Sequence, residues 1–304
     1  MMLLVPCDVL NPRRADDHLA AEAQAARALG HRVGLIDHDA LTAGDAARAV
    51  ARIPADGDTA VYRGWMLTAP AYAGFVTALS ARGVTMRTSA EQYRRGHELP
   101  GWYDTLEPFT PLSVWTSGAH RDAFDKARSA LGRGPAVIRD YTKSMKHYWH
   151  EAAYIPELTD ADAAWKVARR LHELRGDDFT GGFVLRRFEE FTGAEARTWW
   201  IDGTCCLVTA HPDTADQSPA ADLPLPQLAG AVAELGLPFV TVDLAAQRDG
   251  TWRVAEHRAR TGFTLKHYAS DNYPRSSAEP EHLGDLEPEV LHNDDPRTPA
   301  TILE

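Results

Sequence analysis

Two acidic residues on neighbouring predicted strands could bind a divalent metal ion. Asp243 lies in the apolar run "FVTVDLA", and Glu256 ends "TWRVAE" after the turn "RDG". A hairpin places its two strands side by side, so both carboxylates can reach one ion. Acidic residues near hairpins are mostly surface charges, but the apolar neighbours of Asp243 predict burial, and a buried charge needs a partner. Arg258 follows closely and cannot itself bind a metal.

A second candidate site lies in the basic stretch "AVIRDYTKSMKHYWHEAAYIP". It predicts a strand followed by a loop that carries Arg139, Lys143 and Lys146. Cations on such a loop can neutralise and hydrogen-bond a polyanion. On these residues alone, a solvated basic loop is the favoured interpretation. His147 and His150 have helical spacing but no third ligand, so they are expected to be surface or packing histidines.

Three further arginines lie on predicted strands. Arg186 and Arg187 are adjacent in "FVLRRFEEF", and alternation places them on opposite faces, so only one can face a given site. Arg197 shares a strand face with Glu195 in "EARTWW". Arg197 could therefore contact an anion or form a cross-strand salt bridge with Glu195.

The elements that must position these residues fall into two groups. Residues 1–115 alternate strand and helix, which predicts a doubly wound parallel sheet. Within them, residues 88–115 are rich in aromatics, Pro and Gly and are expected to form an irregular connection. Residues 116–269 predict an α+β unit with antiparallel strands, a first helix in "AHRDAFDKARSALGRG" and two further helices. Residues 270–304 are Pro-, Ser- and acid-rich, which is typical of a mobile or draped tail.

Composition limits the function classes. The 304 residues carry a formal net charge of −11, which argues against non-specific nucleic-acid binding. The three cysteines show no metal-ligand spacing, and the apolar start is too short to cross a bilayer. These features favour a reduced, cytoplasmic protein with no membrane partner. The chain also lacks a nucleophile elbow, so a Ser/His/Asp hydrolase has no support.

The phrases quoted above, with "VYRGWML", "TSAEQYRRGHELPGWY" and "TPLSVW", resemble the ATP-grasp superfamily of carboxylate–amine ligases. The resemblance is strongest to its divergent clade named for two arginines and a lysine, and it covers roughly residues 1–262. It implies a pre-ATP-grasp α/β domain over 1–115 and an ATP-grasp fold of two α+β subdomains over 116–269. It also implies ATP and Mg²⁺ as cofactors.

The resemblance implies a role for each candidate residue. Asp243 and Glu256 match the carboxylates that hold Mg²⁺, while Arg197 matches an arginine that contacts phosphate or the acyl phosphate. Arg139 replaces the usual phosphate-contacting lysine. The other implied nucleotide contacts are Lys143, as the clade's loop lysine, and either Arg186 or Arg187 of the "LRRF" strand, with a slight preference for Arg186. Arg258, two residues after Glu256, is a further candidate nucleotide contact.

Arg258 departs from the family pattern, which has Asn or a Gly/Asp-rich turn at that position. It could replace one of two Mg²⁺ ions, or mark a site that has lost catalysis. The expected function is an amide- or peptide-forming ligase for a small-molecule or peptide carboxylate and an amine. A phosphotransferase and a regulatory nucleotide-binding protein are the alternatives. Arg63 and Trp65 are expected to line the acceptor side, and a homodimer is one option for assembly.

Overall fold

The computed structural model describes residues 1–210 and 222–258, the last three of them by backbone alone. The N-terminal part is a parallel sheet in the order β2-β1-β3-β4, flanked by helices. The predicted doubly wound α/β unit is therefore confirmed. Its strands and helices are β1 Met2–Pro6, α1 Ala20–Ala28, β2 Arg32–Ile36, α2 His38–Thr42, α3 Ala46–Ala49, β3 Thr59–Tyr62, α4 Ala69–Ser80 and β4 Thr85–Met86.

The stretch expected to be an irregular connection is largely helical, so that expectation is wrong. It forms α5 (Ala90–His97), α6 (Leu99–Leu106) and a 3₁₀ turn (Glu107–Phe109). A capping box joins Ser89 and Gln92 at the start of α5. Such a box stabilises a helix start because each side chain satisfies an otherwise unpaired amide of the other residue. The sequence "SAEQ" contains this capping box, but the surrounding Pro, Gly and aromatic residues are typical of loops.

A second, antiparallel sheet follows in the order β5-β8-β6-β7. Helices α7 and α8 pack on it around a core that contains Phe124, Leu171 and Phe183. Asp160 caps α8 by accepting a hydrogen bond from the amide of Ala163. The elements are β5 Ser113–Trp115, α7 Arg121–Leu131, β6 Ala136–Arg139, a π-helical turn Trp149–Ala153, β7 Tyr154–Ile155, α8 Ala161–Arg175 and β8 Val184–Arg187.

The third sheet is antiparallel in the order β10-β9-β11-β12 and carries the predicted hairpin. Its core includes Trp200 and Val242, and α6 contributes Trp102 to the same cluster. The sheet therefore packs partly on a helix of the preceding connection. Its elements are β9 Phe191–Ile201, β10 Thr204–Ala210, α9 Leu225–Glu234, β11 Phe239–Gln247 and β12 Trp252–Arg258.

Helix α5 and the residues before it contact this third sheet. Arg87 forms an ion pair with Asp202, N–O 2.6 Å, and Gln92 donates to the carbonyl of Gly236 at 3.0 Å. These contacts join the parallel-sheet unit to the C-terminal sheet. The division at residues 115 and 269 stays a prediction, and the proposed tail over 270–304 lies outside the described residues. In the described part of the chain, no helix combines the length and hydropathy needed to cross a membrane.

Candidate functional site

Three of the predicted site residues form one row across the third sheet. The strand register pairs Arg197 on β9 with Asp243 on β11, and Asp243 with Glu256 on β12. Directly paired positions share a face of a sheet, with Cβ atoms about 5 Å apart. Arg258 pairs with Thr241, two residues from Asp243, and so occupies a position on the same face. The register thus assembles one cation and two carboxylate positions, with a second cation position beside them.

Arg197 and Asp243 form a buried ion pair. The Nε of Arg197 donates to Oδ1 of Asp243 at 2.6 Å, and Nη2 donates to Oδ2 at 2.8 Å. The two residues are only 2% and 3% exposed, respectively. This forked geometry gives the buried carboxylate the partner that its apolar surroundings require. From the sequence alone, Glu195 is the candidate ion-pair partner of Arg197. Residue spacing along β9 gives no information about how β9 pairs with β11.

The arginines of β8 contact different elements, as alternation predicts. Arg187 donates to the carbonyls of Leu131 and Arg133, at the C-terminal end of α7. Arg186 is buried and donates to the carbonyl of Ala255 on β12 at 2.8 Å and to the hydroxyl of Thr110 at 2.7 Å. Arg186 therefore contacts the strand that carries Glu256, while Arg187 binds the end of a helix.

The loop after β6 is held by an acidic residue that local sequence patterns do not identify. Asp140 is fully buried, and its Oδ1 accepts from the Thr142 amide at 2.7 Å, the Thr142 hydroxyl at 2.9 Å and the Lys143 amide at 2.6 Å. Its Oδ2 accepts from Nε of Arg175 at 2.8 Å. The loop lysine is exposed, so the chain fixes the backbone of the loop and leaves the ammonium group at the surface.

Arg139 lies just before this loop and is buried. Its Nη2 donates to the carbonyl of Thr142 at 2.5 Å, and its Nε donates to the carbonyl of Asp140 at 3.3 Å. The guanidinium group is thereby folded against the loop backbone. Lys146 is exposed at the start of the following 3₁₀ turn, and His147 and His150 are also exposed. The two histidines match the expected surface positions.

A second overlooked acid follows β8. Glu189 binds Arg253 of β12 through two hydrogen bonds of 2.9 and 3.1 Å, and it accepts from the side chain of Gln247 at 2.9 Å. Beside it, Phe188 packs edge-on against Tyr154, which stacks on Trp149. The segment between the second and third sheets is thus held by an ion pair on one side and flanked by aromatic rings on the other.

The carboxyl edge of the parallel sheet carries the two residues expected on the acceptor side. Arg63, directly after β3, is buried against Glu22 of α1, with Nε–Oε2 at 2.7 Å and Nη2–Oε1 at 3.2 Å. Trp65 is 43% exposed and makes an edge contact with His38. Burial lowers the pKa of His38, although Asp39 and Asp37 act in the opposite direction. The ion pair makes Arg63 part of the scaffold of this edge, while Trp65 remains accessible.

The residue types in the row fit Mg²⁺, an ion that prefers oxygen ligands. Among residues 1–210 and 222–255, whose side chains the structure describes, no group of three or more His, Cys, Asp or Glu residues could hold a metal ion. Asp243 and Glu256, both carboxylate residues, occupy paired positions of β11 and β12. Mg²⁺ commonly takes one or two carboxylates and completes its shell with phosphate oxygens and water. The row therefore suits an ion that arrives with a polyphosphate.

Comparison with known proteins confirms the predicted resemblance. Residues 130–260 match the model of an ATP-grasp domain, family 3 of the clade named for two arginines and a lysine. The match covers the basic loop, both β8 arginines and the whole row of β9, β11 and β12. No curated protein sequence matches the chain.

Solved structures show that the fold extends over most of the chain. D-cycloserine synthetase DcsG superposes with a TM-score of 0.59 at 19% identity, covering 89% of this chain and 95% of that one. A RimK domain ATP-grasp protein from Sphaerobacter thermophilus DSM 20745 gives a TM-score of 0.58 at 18% identity, with 86% and 92% covered. The ATP-grasp ligase PsnB, complexed with the precursor peptide PsnA2 and AMPPNP, gives 0.52 at 14%, with 88% and 90% covered. The chain has the ATP-grasp fold.

Proposed function

We propose that this protein is an ATP-dependent carboxylate–amine ligase that uses Mg²⁺. The observation that carries the proposal is the row of Arg197, Asp243 and Glu256 across the third sheet, in a chain with the ATP-grasp fold. The row combines hard oxygen donors with a guanidinium group. Transfer of a phosphoryl group needs positioning and charge neutralisation more than covalent chemistry from the protein.

Each predicted site residue has a role in this proposal. Asp243 and Glu256 would hold Mg²⁺, which supplies charge neutralisation at the terminal phosphates of ATP. Arg197 and Arg258 would bind phosphate oxygens from the same sheet face, and Lys143 would do so from the loop after β6. Arg139 would stabilise the backbone of that loop by donating hydrogen bonds to the carbonyls of Asp140 and Thr142. The β8 arginines Arg186 and Arg187 have hydrogen bonds that support a structural contribution to the nucleotide site.

The proposed reaction has two steps. An oxygen of the substrate carboxylate attacks the γ-phosphorus of ATP, the bond to the β-phosphate breaks, and ADP leaves with its electron pair. The amine nitrogen then attacks the carbonyl carbon of the acyl phosphate and releases phosphate, and the nitrogen loses a proton. Arg197 and Lys143 stabilise the negative charge on the transferring group. The ion pair with Asp243 holds the guanidinium group of Arg197 in place, so this donor need not reorganise during the step.

The substrates are proposed by class. Among proteins with this fold, one is named as a D-cycloserine synthetase and another is complexed with a precursor peptide. Either a small acid or a peptide carboxylate is therefore compatible with the proposal. The accessible indole of Trp65 at the carboxyl edge of the parallel sheet supports an acceptor site there, since ligands of open α/β sheets bind at that edge. A cytoplasmic location stays a prediction.

The test is an ADP-release screen of paired acids and amines with the purified protein. We expect ADP formation that requires both an acid and an amine, with one ¹⁸O atom moving from labelled carboxylate to phosphate. A stable phosphorylated acid that forms equally well without amine would instead establish a phosphotransferase. Nucleotide binding with no turnover on any pair would favour the regulatory alternative.

A further inference from the structure

Strand β12 contains an irregularity beside Glu256. The register pairs Asp243 with Glu256 and Leu244 with Val254, so Ala255 is an extra residue on β12. Such a β-bulge locally breaks the ladder, bends its strand and changes the direction of the next side chain. Without the extra residue, the positions beyond it would shift by one and exchange faces of the sheet. The bulge therefore determines which residue of β12 stands opposite Asp243.

Two buried side chains bind the carbonyls at this bulge. Arg186 donates to the Ala255 carbonyl at 2.8 Å and to the Val254 carbonyl at 3.4 Å. The Thr110 hydroxyl donates to the Val254 carbonyl at 2.8 Å and accepts from Nη2 of Arg186 at 2.7 Å. Both side chains are buried, with Thr110 1% and Arg186 8% exposed. Buried carbonyls need such donors, because burial removes the hydrogen bonds that they would otherwise accept from water.

These donors come from outside the third sheet. Arg186 lies on β8 of the second sheet, and Thr110 lies in the connection before β5. Arg253 of β12 strengthens the same junction by donating to the Thr110 carbonyl at 2.6 Å. The backbone next to Glu256 is thus tied to the sheet that carries the phosphate-binding loop. A change in the position of the second sheet relative to the third would act directly on the bulge.

We propose that Thr110 and Arg186 are positioning residues that fix the β12 bulge and so place Glu256 beside Asp243. The inference rests on the proposed function, because it treats these carboxylates as the Mg²⁺ ligands. Thr110 and Arg186 act on the ligand through the backbone of the bulge. Replacing Thr110 should therefore change the affinity for Mg²⁺ and leave the metal-free affinity for nucleotide unchanged.

The test is the Mg²⁺ dependence of AMPPNP binding, measured by calorimetry. Thr110→Val keeps the shape of the side chain but removes its hydroxyl. Loss of a residue that orients a metal ligand typically lowers metal affinity about 10–100-fold. We expect the Mg²⁺ concentration for half-maximal binding to rise at least about tenfold on that basis. Metal-free affinity should stay within about twofold, and Thr110→Ser should restore the wild-type midpoint.

Thr116→Val is the matched control. Thr116 is also buried, and its hydroxyl donates to the Gly118 carbonyl at 2.6 Å and accepts from the Phe183 amide at 2.9 Å, neither of which lies on β12. This variant should lose stability without moving the Mg²⁺ midpoint. Arg186→Lys keeps the positive charge but removes the forked guanidinium group. It should move the Mg²⁺ midpoint in the same direction as Thr110→Val. It keeps the test decisive if Thr110→Val fails to fold.

Two results would overturn the positioning role: an unchanged midpoint in folded Thr110→Val or Arg186→Lys, or an equal shift in Thr116→Val. Both leave the proposed function intact, because the wild type still binds Mg²⁺ and nucleotide together. Nucleotide binding by the wild type that does not respond to Mg²⁺ would contradict the metal site itself, and the positioning role with it.

Discussion

Replacing either member of the Arg197–Asp243 pair is expected to lower the free energy of unfolding by about 3–5 kcal/mol, because the remaining charge stays buried after its partner is removed. Arg197→Ala and Asp243→Ala should each show this loss in urea unfolding. Their combined variant should lose no more than either single one, since the second change removes the uncompensated charge. The forked contacts of 2.6 and 2.8 Å between buried side chains are the reason for this expectation.

An apolar replacement of the pair separates its structural from its functional contribution. Arg197→Met combined with Asp243→Leu should regain most of the stability, because well-packed apolar residues can substitute for a buried ion pair. This folded variant should nevertheless bind no AMPPNP in the presence of Mg²⁺. If this apolar variant bound AMPPNP with wild-type affinity, Arg197 and Asp243 would not be part of the nucleotide site. The exposed pair Arg169–Glu173 is the control, and breaking it should cost no more than about 1 kcal/mol.

The second large effect is expected at Asp140. Asp140→Ala removes the acceptor for the loop amides and takes the buried partner from the Arg175 guanidinium, which should cost about 3–5 kcal/mol of stability. Nucleotide affinity should fall at least about tenfold, equivalent to about 1.4 kcal/mol, because the loop that presents Lys143 loses its anchor. Urea unfolding and calorimetry on the same samples measure both quantities.

The two oxygens of Asp140 allow a matched control. Oδ1 binds the loop and Oδ2 binds Arg175. Arg175→Met therefore breaks the ion pair while leaving the loop hydrogen bonds in place. It should lose stability to a degree comparable with Asp140→Ala but keep nucleotide affinity within about threefold, a difference below about 1 kcal/mol. Equal losses of affinity in the two variants would mean that Asp140 acts only through stability.

The parts of the fold that the sequence predicts are those specified by local patterns. Apolar strands and Gly-terminated helices identify the parallel-sheet unit, and the "RDG" turn identifies the β11–β12 hairpin. Local patterns also place Arg186 and Arg187 on opposite faces. The sequence of residues 88–115 does not predict their helices, because residues typical of loops outweigh a short capping signal.

The contacts within the site depend on strand pairings that cannot be read from the spacing of residues in the sequence. Arg197 binds Asp243, 46 positions away, because β9 lies beside β11 in the sheet. Thr110 binds a carbonyl 144 positions away. Asp140 resembles an ordinary loop acid in the sequence, and its importance follows from burial and from the hydrogen bonds that converge on it. Composition and periodicity identify candidate residues, whereas the register decides which of them meet.

The register position of Arg258 offers a physical explanation for its departure from the family pattern. It lies beside the row of Arg197, Asp243 and Glu256. Arg258 occupies a register position on the same face, next to the carboxylates. A guanidinium group there can neutralise phosphate charge that a second metal ion would otherwise offset. We therefore expect the protein to need Mg²⁺, but only at the position formed by the two carboxylates.

The most direct test is calorimetric titration of AMPPNP into the wild type and Glu256→Gln, with and without Mg²⁺. Glu256→Gln leaves the Arg197–Asp243 pair in place, so a change in binding reports on the metal position and not on stability. We predict that Mg²⁺ tightens wild-type binding at least about tenfold, or about 1.4 kcal/mol, and that Glu256→Gln abolishes this gain. Binding that is independent of Mg²⁺ in both proteins would contradict the metal site and point to a nucleotide sensor whose arginines have replaced the metal.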